Sequence, residues 1–281
     1  MKCFYHRADL DGICAGAIVR KKYPTCVMVG YDYDDPFLFE KLNPKEMHIF
    51  VDMSLPCDSM RSLLADGIKI VWIDHHHSAI KDSVKHEYDQ TRGIRRVGIG
   101  ACVLTWKYFF DTPVPRSVQM LGEHDVWNHT NPDTAPFHCG INSLGLTVYS
   151  RLWVRLFEDA NLAYNIGTGK KLLNYIKGST KRTLDFTSYK SIWEGHDVVF
   201  INSCIHESLF YYFIQQENLL ECDFIVAYYR DSNNRYKVSL RSQKEGVDVS
   251  KVAGFYGGGG HKAAAGFMCD KLPWEEKIHE M

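Results

Sequence analysis

The apolar run Ile68–Ile73 stops at Asp74-His75-His76-His77, a carboxylate followed by three imidazoles. The run is short, β-branched and aromatic, which suits a buried strand. Titratable groups therefore stand where a strand ends, and in open α/β sheets that edge is where ligands bind. Three further stretches read as strand ends bearing acid or histidine: His6-Arg7-Ala8-Asp9-Leu10-Asp11-Gly12, Val51-Asp52 and Glu123-His124-Asp125. Gathered on one sheet edge, such ends make a two-metal centre, and beside a phosphate pocket that centre is equipped for phosphoester hydrolysis.

The pattern along the chain favours that gathering. Lys2–Tyr5, Cys26–Tyr31, Met47–Val51 and Ile68–Ile73 read as strands. Helical patterns lie between and after them, near Gly12–Tyr23, Pro36–Leu42 and Cys57–Ala65. This alternation predicts βαβ units, a parallel sheet and an α/β fold. Right-handed crossovers then bring every strand's C-terminus to the same edge. Gly100–Phe110 and Pro115–Glu123 read as helices, Asn128–Leu146 as loop, and Tyr149–Ile176 as a mostly helical connecting pair. A second α/β unit is expected from about His196, with a strand at Asp197–Asn202 and a helix at Glu207–Gln216. Phe224–Arg230 and Tyr236–Arg241 flank the polar turn Asp231–Asn234 as a hairpin, and Val249–Phe255 reads as a short helix. The expected organisation is a metal-binding domain over residues 1–130, a helical connector over 131–195 and a smaller α/β domain over 196–281.

Composition narrows the partners. A net charge of -1 provides no basic field for long duplex nucleic acid. A short anionic substrate remains compatible if bound cations supply the positive charge. The nine cysteines contain no CxxC pair and several sit in apolar runs, so free thiols in a reducing cytoplasm are expected. No signal peptide or membrane-spanning run is expected. A monomer or homodimer is expected.

Carboxylates with imidazoles suit Mn²⁺, Mg²⁺ or a similar divalent ion better than a thiolate-seeking metal. Asp9 and Asp11 are two residues apart where the first strand turns into its helix, so each can face a different ion. Asp52 can bridge the two ions, and His75 and Asp125 can complete the coordination of the second ion. Taken singly, Asp9 or Asp11 reads as a helix N-cap, Asp52 as a turn residue, Asp125 as a helix-end cap and His6 as a core histidine. Taken together, all at element ends, they read as a metal site.

A second signal lies near the carboxyl end, in Gly257-Gly258-Gly259-Gly260-His261-Lys262-Ala263-Ala264-Ala265-Gly266. Successive glycines let backbone N–H groups approach an anion as a nest, and His261 can donate to a phosphate oxygen. Arg241, at the end of its strand, offers a planar fork for phosphate and reads equally as an exposed strand residue. Trp127 and Tyr256 read as base-stacking or packing aromatics, and Arg92, Arg95 and Arg96 as a basic guide or a solvated loop.

These motifs resemble the DHH phosphoesterase superfamily, in particular its DHH/DHHA1 branch with NrnB-like oligoribonucleases and nucleotide phosphodiesterases. Asp74-His75-His76 matches the name-giving triplet, and Tyr236 through Gly266 is similar to the DHHA1 signature. The resemblance implies two Mn²⁺ ions, one held by His6, Asp9 and Asp52, the other by Asp11, Asp52, His75 and Asp125. It implies that His76 contacts the scissile phosphate, that Asp74 orients a histidine, and that Arg241, Ser242, Gly259, Gly260 and His261 form the substrate-phosphate pocket. It also implies an active site in the cleft between the domains. His77 is extra to the motif. The implied activity is Mn²⁺-dependent cleavage of di- to short oligonucleotides to mononucleotides. Cyclic mono-, di- or oligonucleotides and adenosine 3′,5′-bisphosphate are alternative substrates. A nucleic-acid-binding module without catalysis is the alternative of another class.

Overall fold

The computed structural model describes residues 1–32, 35, 42–128, 130–204, 221–242 and 244–276. The chain forms two compact units, residues 1–172 and 173–281.

The first unit opens with β1 (Lys2–His6), α1 (Leu10–Lys22), β2 (Val27–Tyr31), β3 (Met47–Val51), α2 (Cys57–Ala65), β4 (Lys69–Ile73) and α3 (His77–Lys85). The strands form a parallel sheet in the order β2-β1-β3-β4. Alternation along the strands divides the side chains between two faces. Cys3, Ile49, Val51, Val71 and Ile73 pack with α1 on one face, and Phe4, Phe50, Ile70 and Trp72 pack with Met60 and Leu63 of α2 on the other. Both faces are thus covered, which is why the strands read as continuous apolar runs. The register pairs His6 with Tyr31, Tyr5 with Val51 and Val51 with Ile73. His6, Asp52 and Asp74 therefore come to the same edge.

The helices α4 (Ala101–Phe109), α5 (Arg116–Asp125), α6 (Thr134–Asn142) and α7 (Leu152–Leu156) follow, and α8 (Leu162–Thr187) runs from the first unit into the second. Two expectations need correction here. Glu123-His124-Asp125 is the last turn of α5, not a strand end. The buried set Val118, Leu121 and Gly122 follows helical spacing, and Asp125 falls on the same side. The expected loop Asn128–Leu146 contains α6. Its loop-forming residues cluster at the ends, Pro136 sits in the first turn where a proline is tolerated, and Ala135, Phe137, Cys139 and Ile141 are buried.

The expected helical connector ends earlier than residue 195. β5 (Ser188–Trp193) is already a strand, because its β-forming residues pair antiparallel with β6 (His196–Asn202). The second unit continues with β7 (Phe224–Arg230), β8 (Tyr236–Arg241), α9 (Val249–Phe255), β9 (Gly259–His261), β10 (Ala264–Cys269) and α10 (Pro273–Glu276). Its mixed sheet has the order β5-β6-β7-β8-β10-β9, and β7 and β8 form the expected hairpin. Trp193, Phe200, Phe224, Phe267 and Trp274 build its core. The expected helices at Pro36–Leu42 and Glu207–Gln216 lie outside the described residues. All nine cysteines are free thiols. Among the described residues no helix is long and apolar enough to cross a membrane.

Beyond β4, the segment 92–96 adds one more parallel edge. Trp72 N–H donates to Arg92 O at 2.8 Å, Asp74 N–H to Ile94 O at 3.1 Å, and Arg96 N–H to Asp74 O at 3.1 Å. Arg95 pins this segment: its guanidinium donates to the carbonyls of Trp72, Asp89 and Thr91 and lies 5.1 Å from the Trp72 ring centroid. Arg95 is thus a structural staple rather than a substrate guide. Arg95→Ala is expected to lower unfolding free energy by about 2 kcal/mol, since charged hydrogen bonds and a cation–π contact are lost together. Urea titration checks this.

Candidate metal centre

The site grows from local turns. Asp9 caps α1, its Oδ1 accepting from Gly12 N–H at 2.9 Å. Gly12 is required there: a Cβ would lie 2.2 Å from His6 O and 2.9 Å from Asp52 Oδ2. Asp11 is 2% exposed and accepts from Ala101 N–H at 2.6 Å and Cys102 N–H at 3.0 Å. It thereby satisfies the first N–H groups of α4 and faces that helix's positive end. The N-cap reading is therefore correct for Asp9, whereas Asp11 lies inside α1 and serves the start of α4; each still brings a carboxylate oxygen to the cluster.

Three groups of side chains converge: His6, Asp9 and Asp52; Asp11, His75 and Asp125; and Asp52, His75 and His76. Within each, one ligand atom per residue lies within 4.8 Å of the others, which is close enough to hold an ion. His6 Nδ1 is 2.8 Å from Asp9 Oδ2 and 3.6 Å from Asp52 Oδ2. His75 Nε2 is 3.1 Å from Asp52 Oδ1, 3.2 Å from Asp125 Oδ2 and 3.9 Å from Asp11 Oδ2. Asp52 and His75 each belong to two of these groups, and Asp52 turns one oxygen toward His6 and the other toward His75. Its backbone takes φ 57°, a left-handed conformation that is strained for a residue with a Cβ.

The electrostatics show what this arrangement lacks. Asp52 is 1% exposed, and neither carboxylate oxygen accepts a hydrogen bond among the described residues. Burial, then the carboxylate of Asp11, pushes the Asp52 carboxyl well above its ordinary value. Burial and the carboxylates of Asp11, Asp52 and Asp9 do the same to Asp125. Burial also raises Asp11. For His6, burial works against protonation, but Asp52 and Asp9 prevail and push it up to about 10. A buried set of carboxylates that resists ionising, flanked by imidazoles, has the charge and donor types that divalent cations satisfy. The residues present fit two such ions.

Asp74 and His76 stand beside the cluster. Asp74 is fully buried, and its Oδ1 accepts from the N–H groups of His75 at 2.7 Å and His76 at 3.2 Å and meets His76 Nδ1 at 2.6 Å. This fixes the orientation of His76 and raises its pKa against burial. His77 begins α3 and is exposed.

The remaining expected residues lie in the second unit. Arg241 ends β8, with Nη1 donating to Leu240 O at 2.9 Å. Ser242 is buried; its hydroxyl donates to Asp223 O at 2.7 Å and accepts from Lys244 N–H at 3.1 Å, bracing the strand end. Gly259, Gly260 and His261 are exposed and form β9, paired with Gly266, Ala265 and Ala264 of β10. Close strand approach is one reason for the glycine run, since a Cβ on Gly258 would lie 2.1 Å from Gly266 O. Tyr256 is a packing aromatic, stacked on Trp193 and Phe267 with its hydroxyl donating to Glu194 Oε1 at 2.8 Å.

Residues 217–281 match the family model of the DHHA1 domain. The whole chain also shares its fold with a pGpG-specific phosphodiesterase, PggH, from Vibrio cholerae: 12% identity, TM-score 0.54, 99% of this chain and 96% of that one. The match to the DHHA1 domain covers the carboxyl-terminal part of the chain, and the likeness to the phosphodiesterase is one of fold. An exopolyphosphatase-related protein from Bacteroides fragilis is a second likeness in fold, at 13% identity and TM-score 0.51 over 99% of this chain and 89% of that one. Among curated proteins, the uncharacterized protein R106 of Acanthamoeba polyphaga mimivirus is 23% identical over 271 residues. The chain spans 57% of that relative's length.

One carboxylate beside the site was not singled out in the sequence. Asp32 follows β2, and its Oδ1 lies 3.8 Å from His6 Nε2. The signal was present, because Tyr31-Asp32 repeats the strand-end carboxylate of Val51-Asp52 and Ile73-Asp74.

Proposed function

We propose that this chain is a divalent-metal-dependent phosphoesterase that hydrolyses short linear oligonucleotides, dinucleotides included, to mononucleotides with Mn²⁺ as its preferred ion. The buried, hydrogen-bond-starved carboxylate of Asp52 between His6 and His75 is the observation that carries this reading. In it, His6, Asp9 and Asp52 hold one ion, and Asp11, Asp52, His75 and Asp125 the other. When bound, such ions supply positive charge for the phosphoryl oxygens and acidify a water.

The chain's own groups do the rest. His76, held by Asp74 at Nδ1, donates from Nε2 to a phosphoryl or leaving oxygen. Arg241 and His261, with the backbone of Gly259 and Gly260, bind the substrate's other phosphate or nucleotide. Ser242 braces that strand end. Preference for a linear dinucleotide draws support from the pGpG-specific phosphodiesterase that shares the fold. Cyclic nucleotides and adenosine 3′,5′-bisphosphate are the competing substrates.

The test is product formation by the purified protein with Mn²⁺ or Mg²⁺. The panel holds pGpG, a short RNA, cyclic mono- and dinucleotides and adenosine 3′,5′-bisphosphate. We expect mononucleotide release from pGpG, reduced at least about 100-fold in His75→Ala, since a ligand's loss exceeds that of an outer partner. Turnover of only a cyclic substrate replaces the substrate assignment. No turnover of any member with either ion sinks the phosphoesterase reading.

A further inference from the structure

Asp32 stands outside the ligand groups, on the far side of His6. The Nδ1 atom of His6 is turned to the carboxylates, 2.8 Å from Asp9 Oδ2 and 3.6 Å from Asp52 Oδ2. Its Nε2 is turned away from them, 3.8 Å from Asp32 Oδ1. A neutral imidazole has one N–H and one lone pair, and a metal ligand must present the lone pair. If Nδ1 serves the ion, the proton must sit on Nε2. A carboxylate near Nε2 favours that tautomer by Coulombic attraction, which acts at this range even though 3.8 Å exceeds a formed hydrogen bond.

We propose that Asp32 is a positioning residue that selects the His6 tautomer with Nδ1 bare, and so raises the affinity of the ion that His6 helps hold. The inference rests on the metal-centre reading above and goes beyond it.

The local structure shows why Asp32 is in place. Its N–H donates to Asp35 Oδ2 at 2.9 Å, and Asp35 N–H donates back to Asp32 O at 2.9 Å. Both Asp35 oxygens are gripped by the Arg7 guanidinium, with Nη2 to Oδ1 at 3.1 Å. Arg7 N–H in turn donates to Tyr31 O at 3.0 Å, which extends the β1–β2 ladder by one residue. The brace thus ties Asp32 and Asp35 to the residue next to His6. Its side chains are 33–45% exposed, so the ion pair adds little to folding stability. What it does achieve is to hold one carboxylate beside one ring nitrogen. Outer carboxylates of this kind orient metal-bound histidines widely.

The experiment titrates the full chain with Mn²⁺ by calorimetry, comparing wild type with Asp32→Ala, Asp32→Asn and Asp32→Glu. Long-range ¹H–¹⁵N spectra of the Mg²⁺-loaded proteins read the His6 tautomer directly. We expect Asp32→Ala to weaken one Mn²⁺ site about 10–100-fold and to mix the His6 tautomers, with the melting temperature unchanged. Asp32→Glu should restore both properties in part. Should Asp32→Ala fold poorly, Asp32→Asn keeps the shape, removes the charge and is read the same way. Wild-type affinity and an unchanged tautomer in the uncharged variants overturn the proposal while leaving the metal centre intact. Failure of the wild type to bind Mn²⁺ overturns both together.

Discussion

Asp52→Asn is expected to abolish tight binding of both ions and to cut phosphoester turnover by about 1,000-fold or more. The substitution keeps size and shape and removes one charge. Asp52 is the member shared between the His6 group and the His75 group, so no other residue has an equal effect on both. The same change should stabilise the metal-free protein. Its carboxylate is buried among those of Asp11 and Asp9, with no hydrogen bond to either oxygen among the described residues and a left-handed backbone beneath it. Neutralising it relieves the repulsion and leaves the strain. The sign of the pH dependence follows from the raised carboxyl pKa. The folded metal-free chain retains Asp52's proton to higher pH than the unfolded chain does, so ionising it costs stability as pH rises through that folded value. The advantage of metal-free Asp52→Asn over wild type should therefore grow with pH. Mn²⁺ binding to wild type should strengthen over the same range, because the ion displaces protons. Thermal melts with and without Mn²⁺, together with calorimetry, check all three. A variant that still binds two ions with wild-type affinity would falsify the shared role of Asp52.

Gly93→Ala should produce the largest loss of stability, about 4 kcal/mol or more. Gly93 has φ 135°, a conformation open to glycine and strained for alanine. A Cβ there would lie 1.9 Å from Trp72 O, 2.7 Å from its carbonyl carbon and 2.9 Å from its nitrogen. All three are backbone atoms of β4, so no rotamer change relieves the clash. The segment 92–96 would have to separate from β4. That breaks the hydrogen bonds Trp72 N–H to Arg92 O, Asp74 N–H to Ile94 O and Arg96 N–H to Asp74 O. Asp74 would then lose its backbone support next to the histidines it orients, and turnover should fall along with stability. Chemical denaturation of the two proteins decides it. A change below about 1 kcal/mol would mean that segment 92–96 does not lie against β4 as described.

Much of the first unit was legible in the chain because its signals are local. Met47–Val51 and Cys57–Ala65 match the expected limits, the other three strands and α1 shift by one or two residues, and α3 was not expected. A strand buried on both faces is a short apolar run, and a run that stops at a charged residue marks its own end. For the same reason His6, Asp9, Asp11, Asp52 and His75 were identifiable as one set: each stands at the end of a strand or the start of its helix. The Asp231–Asn234 turn likewise announced the β7–β8 hairpin.

Other features depend on partners far along the chain. Asp125 reaches the cluster from the end of a helix, and only the packing of α5 brings it to His75. Arg95 reads as a loop cation until its three carbonyl partners are in view, and the pairing of Gly259 and Gly260 with β10 shows only in the fold. Residue types and spacing thus determined which groups are capable of ligation and where strands end. Tertiary structure decided which nitrogen of His6 faces the carboxylates, which oxygen of Asp52 faces which histidine, and that Asp32 lies beside His6. The physical reason is range. Strand and helix periodicity is set by neighbours a few residues apart, whereas an electrostatic cluster is set by distances of about 3–4 Å between atoms that register and helix packing bring together.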